Sequence, residues 1–171
     1  LIRLNRLVQN NYFKEQYLTN RLQRFAQIIE QSPISIMVTT IEGSITYVNK
    51  RFTQMTGFTK DEAIGKNPSI LKSDRTSTEL YTQLWTRLKD KEIWEGEIIN
   101  QTKDHQEYIE WTTIAPLYQD DGQVTHYVAM KEDITKRKKN EELIQNLAYY
   151  DQLTLLPNFS NAIALYFRKF S

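Results

Sequence analysis

The sequence predicts an α+β fold: a five-stranded antiparallel sheet with helices on one face, flanked by a helix at each end. Three observations carry this expectation. Apolar residues recur at steps of three and four through the first thirty positions. Beyond Pro33 the pattern changes to short β-branched and alternating runs, in one group near 36–48 and another near 93–132. Between those groups stand repeated helix starts and stops. A chain of 171 residues, 40% hydrophobic and 25% charged, suits one globular domain with additional helical material.

The opening segment has no Pro or Gly before Pro33, and Leu1, Leu4, Val8, Asn11, Glu15, Leu18, Leu22, Phe25 and Ile29 form a heptad seam with two polar interruptions. A seam this narrow suits a partner helix better than a broad core face, although a helix folded back on its own domain has the same pattern. Asn11 is the kind of polar residue that fixes register in a parallel pair. Residues 36–40 and 44–48 then read as a hairpin about Glu42-Gly43. Four short helical pieces follow. Asn49 caps the first, which stops at Gly57, and Thr59 with Glu62 forms a capping box for the second, which ends at Gly65. An irregular turn spans Pro68 to Leu71. Thr76 with Glu79 reads as a further capping box, opening a helix with Leu80, Leu84, Trp85 and Leu88 inward. Strands over 93–101, 107–117 and 124–132 close the sheet, turning at Lys103-Asp104-His105 and at Gln119 to Gly122. Asp133 is a natural cap for a last helix through Leu143, Ile144 and Leu147.

Composition removes several classes of function. With no cysteine, there are no disulfides, thiolate metal sites, cysteine nucleophiles or cysteinyl–flavin adducts. Lys plus Arg number 22 against 21 Asp plus Glu, so nothing electrostatic points to nucleic acid or an anionic membrane. The basic run Lys136 to Lys139 reads as a solvated helical turn. No apolar run reaches the ~20 residues of a membrane span. The expected setting is the cytoplasm, and a membrane anchor upstream of Leu1 stays compatible with the sequence. There is no G-x-S-x-G, P-loop or G-x-G-x-x-G, so the chain is not expected to be an enzyme.

The element order and the runs YVNKRFTQMTGFTKDEAIGKNPSIL and WEGEIINQTKDHQEYIEWTTIAPLYQDDGQVTHYVAMKEDIT resemble the PAS sensory family over about Phe25 to Lys136. The closing Asp133-Ile134-Thr135 is similar to that family's junction between last strand and output helix. The tail LAYYDQLTLLPNF resembles the opening of a GGDEF diguanylate cyclase domain: Asp151, Leu153, Thr154, Leu156 and Asn158 match, while Leu155 and Phe159 replace a glycine and an arginine. The GG[DE]EF loop itself is absent. The resemblance implies a signalling helix over 1–31, a PAS domain over 32–135, a linker helix over 136–150 and the start of a cyclase-like domain over 151–171. It also implies homodimerisation through the N-terminal helix and no nucleic-acid partner.

Within the PAS run, GKNPSILKS, LYTQLW and W-x-G-x-x-x-N-x-x-KD are similar to the flavin-binding PAS domains of bacterial redox sensors. That resemblance implies FAD held by Asn67, Trp85, Trp94, Asn100 and Glu110, with Lys131, Asp133 and Thr135 relaying the signal. Its chemistry is reasonable. A carboxamide can donate to and accept from the edge of a flavin ring, and an indole offers a flat apolar wall. Trp85 and Trp94 read equally well as core, and Asn100 as bonded to neighbouring backbone. Pro68 departs from the pattern, for it stands where such a sensor has a glutamate. Light-sensing LOV domains place an asparagine and a glutamine at Glu110 and Lys131. Haem is not expected, because His105 and His126 lie in or near the turns and edge of the sheet. The alternative is a ligand-free dimerisation and relay module.

Overall fold

The computed structural model describes residues 2–149, so the cyclase-like stretch 151–171 lies outside the described residues. Contacts divide the chain after Glu132. The part before it is one compact unit, and Asp133 with the helix that follows belongs to a second.

Helix α1 (Ile2–Glu30) is continuous, as its lack of Pro and Gly dictates. Among its described seam residues, Leu18, Leu22 and Phe25 are not folded back on the domain, being 47%, 69% and 51% exposed. Its C-terminal end is tied down. The Glu30 carboxylate accepts from the Tyr47 hydroxyl and the Lys60 ammonium, each at 2.7 Å. Lys60 and then Tyr47 hold the Glu30 carboxyl below the usual carboxylate range. Burial, and then Glu30, push the Tyr47 hydroxyl up to about 12.

Strands β1 (Ser35–Thr40) and β2 (Ile45–Val48) form the expected hairpin. Helices α2 (Lys50–Thr56) and α3 (Lys60–Ala63), a 3-10 turn (Pro68–Leu71) and α4 (Thr78–Lys89) follow, then β3 (Trp94–Gln101), β4 (Glu107–Tyr118) and β5 (Val124–Asp133). The sheet runs β2-β1-β5-β4-β3, so the last strand lies at its centre between the two sequential groups. Asn49 caps α2 and Thr59 forms its capping box with Glu62. The cap of α4 is one residue later than the sequence suggests. Ser77 Oγ accepts the Leu80 N–H, whereas Thr76 Oγ1 accepts from Ile99 N at 3.0 Å and donates to Ile99 O at 2.7 Å. Thr76 therefore closes the free edge of β3, an exposure strands otherwise carry as a liability.

Period-two alternation sends one row of each strand inward, where two apolar clusters form. Met37, Ile45, Val48 and Ala129 pack with Phe52, Ala63 and Leu71 beneath α2 and α3. Leu84, Leu88, Trp94 and Ile98 pack beneath α4. Ile114 touches both clusters, which otherwise stay apart.

Candidate ligand-binding site

The gap between the clusters is a cavity of about 300 Å³, within the size range of small-molecule sites. Met37 and Ala129 from one cluster and Leu84, Leu88 and Ile98 from the other share its wall. Three strands bring a polar group to the same end of the inner face. In β3–β4, Ile98 pairs with Glu110 and Asn100 with Tyr108, and Ser35 in β1 pairs with Lys131 in β5. Inward parity on each strand thus delivers Asn100, Glu110 and Lys131 to one place.

Glu110 is fully buried and Lys131 is 5% exposed. Glu110 Oε1 accepts from Lys131 Nζ at 2.6 Å, Asn100 Nδ2 at 2.8 Å and Thr112 Oγ1 at 2.9 Å. Burying two charges costs several kcal/mol per ion, so such a pair persists only with close geometry and supporting hydrogen bonds. The other oxygen, Glu110 Oε2, is enclosed and accepts no hydrogen bond from any described residue. Asn100 and Lys131 line the cavity, and Glu110 stands behind them. After their bonds to Glu110, Asn100 keeps its carbonyl and one N–H, and Lys131 keeps two N–H groups. Tyr81 also lines the wall, and burial followed by the Glu110 charge pushes its hydroxyl pKa upward.

Aromatic groups form the sides. Trp85 and Tyr127 meet edge to face at 6.3 Å, and Trp85, 39% exposed, stands at the opening. Asn67 is at the rim, where its Nδ2 donates to Gly43 O at 3.1 Å and its Oδ1 accepts from Ser69 N at 2.9 Å. Gly43, at φ +84°, admits this approach, since a Cβ there would sit 2.9 Å from Asn67 Nδ2. Trp94 is elsewhere. It lies in the α4 cluster, outside the wall, with its ring over Gly96 so closely that a Cβ would meet Cζ2 at 2.7 Å. That contact gives W-x-G a packing reason. In the second unit, Asp133 Oδ1 accepts the Thr135 N–H at 2.9 Å at the start of α5 (Thr135–Tyr149).

The sequence sets Glu110 and Lys131 on separate strands without pairing them. The signal that could have found the pair is an acid and a base, each at inward parity in an otherwise apolar row. Thr112, Tyr127 and Lys72, also around this site, carried no such signal.

The family profile for the PAS fold matches residues 23–134. The chain belongs to the PAS family. It is 32% identical over 122 residues to the nitrogen fixation regulatory protein of Klebsiella pneumoniae, covering 71% of this chain and 25% of that protein. It is 28% identical over 127 residues to a blue-light photoreceptor of Listeria monocytogenes, covering 72% of this chain and 50% of the other. Among solved structures, a PAS domain from Colwellia psychrerythraea superposes with a TM-score of 0.63 at 25% identity, covering 68% of this chain and 98% of that one. The chain is therefore a PAS sensor module that spans a quarter of the Klebsiella regulator it matches. Among the described residues no helix is long and apolar enough to cross a membrane.

Proposed function

We propose that this PAS module binds a flavin, FAD in the first instance, and relays its state through flanking helices. The observation that carries the reading is the polar end wall of a predominantly apolar, aromatic-sided cavity. Asn100 there offers an acceptor beside a donor, Lys131 offers donors, and Trp85 offers a flat face. Glu110 Oε2, behind that wall, accepts no hydrogen bond from the described residues. Flavin would supply reversible electron uptake or light absorption. The protein's part is to orient the ring with Asn100 and Lys131 and to hold the charge of Lys131 with Glu110. A ligand that draws on Lys131 changes its bond to Glu110 and loads β5, which leads two residues later to Asp133 and its bond to Thr135. Equilibrium binding of FAD, followed by flavin fluorescence and visible absorbance, tests this. Saturable binding that Asn100→Leu weakens at least tenfold supports it, and a chain that refuses added FAD contradicts it.

We infer further that the chain acts as a homodimer through α1, since Leu18, Leu22 and Phe25 leave the seam uncovered in one copy. The same surface favours the second reading, a dimerisation and relay module without ligand. Light scattering decides the dimer: a monomer at micromolar concentration contradicts it. On the same reading the module works in the cytoplasm, has no catalysis of its own, and controls an output of the cyclic-di-GMP type, as the resemblance of residues 151–159 suggests.

A further inference from the structure

Charge is even over the whole chain but not along it. Residues 1–30 carry five Lys or Arg against two Glu, whereas residues 31–132 carry eleven Lys or Arg against fifteen Asp or Glu. On α1 the cations are also sorted by face. At ~100° per residue, Arg3, Arg6, Lys14, Arg21 and Arg24 fall within an arc of about 80° to one side of the apolar seam, and both glutamates fall outside it. Lys14, Arg21 and Arg24 are exposed, and among the described residues none of the three has a carboxylate within ion-pair distance. Glu30, at the end of the helix, is already taken by Lys60 and Tyr47. Aromatic rings interleave with the cations. Tyr17, 64% exposed, stands one turn from Lys14 on one side and from Arg21 on the other. Phe13, 66% exposed, is held edge-on to Tyr12 at 6.4 Å. The Arg21 guanidinium lies 5.8 Å from the centre of the Phe25 ring, which directs it along the helix without neutralising it. Lys14, Tyr17, Arg21 and Arg24 thus make a second ridge beside the seam, ~15 Å long at steps of three and four.

We propose that this ridge binds single-stranded nucleic acid, with its cations on the phosphates and Tyr17 and Phe13 against the bases. A row of unneutralised cations along one helix face is the electrostatic footprint of a phosphate backbone, and exposed rings between them offer stacking that any base accepts. The even net charge, which points away from nucleic acid, does not describe this helix. An anionic membrane would draw on the same charge, but an interfacial helix buries its apolar face, and here the cations flank that face on one side only. The net negative charge of residues 31–132 repels the same ligand and confines it to α1. The ridge lies beside the seam and apart from the cavity, so the proposal stands whether or not the chain dimerises or holds a flavin.

Fluorescence anisotropy of a labelled single-stranded oligonucleotide of about 20 nucleotides, titrated with the full chain, tests this. The expected dissociation constant is on the order of 10 μM near ~50 mM salt. The logarithm of affinity falls against that of salt with a slope of about −2 to −3.5, as three to five phosphate contacts require. Lys14→Gln with Arg21→Gln and Arg24→Gln weakens binding at least tenfold and flattens the slope by about 2. Tyr17→Ala weakens binding about tenfold and leaves the slope unchanged. Arg21→Lys with Arg24→Lys keeps the charge and binds as the wild type does, which separates loss of charge from loss of helix. Lys66→Gln with Lys89→Gln, both exposed and outside α1, changes neither affinity nor slope. No binding at low salt, binding that survives the triple substitution, or binding to vesicles of phosphatidylcholine and phosphatidylserine in place of the oligonucleotide overturns the proposal.

Discussion

Asn49 and Glu110 are both fully buried, and both join separate elements through polar side chains, but they are satisfied very differently. The Asn49 carbonyl accepts from Ile36 N at 2.9 Å and Phe52 N at 3.0 Å, while its amide donates to Ile29 O at 3.0 Å and Ile34 O at 2.9 Å. Every position that a carboxamide offers is filled. That residue fastens the end of α1 to β1 and α2, and it leaves nothing for a ligand. Among the described residues, Glu110 gathers three donors on one oxygen and none on the other. Saturation marks a structural joint. A buried acceptor that no described residue pairs, directly behind the cavity wall, lacks that saturation.

The comparison can be broken most forcefully at the Glu110 end. Lys131→Met strands a buried carboxylate and is expected to cost about 3–5 kcal/mol in urea unfolding, whereas Lys131→Met with Glu110→Leu falls within about 1 kcal/mol of wild type. Equal losses in the single and double variants would show that the pair is not energetically coupled. Asn49→Ala removes the α2 cap and leaves buried backbone groups unpaired, an expected loss of about 2–4 kcal/mol. Hydrogen exchange sharpens the contrast: protection should fall at residues 29–36 in Asn49→Ala but persist there in the Lys131 variants. Gly96→Ala drives a methyl into the Trp94 ring, for about 1–3 kcal/mol, with a shift in tryptophan fluorescence and with FAD affinity little changed.

The smallest effect is electrostatic and sits beside Asn49. Glu30 titrates below its reference value of 4.5 in the folded chain, held by Lys60 and then by Tyr47. Its carboxylate therefore stabilises the fold fully above pH 4.5, and that contribution disappears as pH falls through the lowered folded value. Because the pair is partly exposed, the gain is less than about 1 kcal/mol. Glu30→Gln is expected to flatten the loss of stability between pH 4.5 and the lowered value, measured by thermal melts across that range.

Elements defined by local chemistry were legible in the sequence. Asn49, Gly57 and the Thr59–Glu62 box announce their helices with backbone groups three or four residues away, and period-two runs announce the strands. What depends on register was not. Glu110 and Lys131 are 21 residues apart, and their contact follows from which strand becomes the neighbour of β4 and at what offset. Thr76 read as a helix cap because its hydroxyl suits one, but the competing partner, Ile99, lies 23 residues away across the free edge of β3. Trp94 carried the motif of a cofactor residue, yet the bare backbone of Gly96 draws its ring into the core. Asn49 was legible as a cap and not as a joint, because two of its four bonds go to carbonyls upstream of β1.

The most direct test is a high-resolution crystal structure of the chain loaded with FAD. The ring is expected between Trp85 and the aliphatic wall, with its polar edge within hydrogen-bond distance of Asn100 and Lys131. A ring bound elsewhere, or a cavity filled by side chains with the Glu110–Lys131 pair untouched, would contradict it.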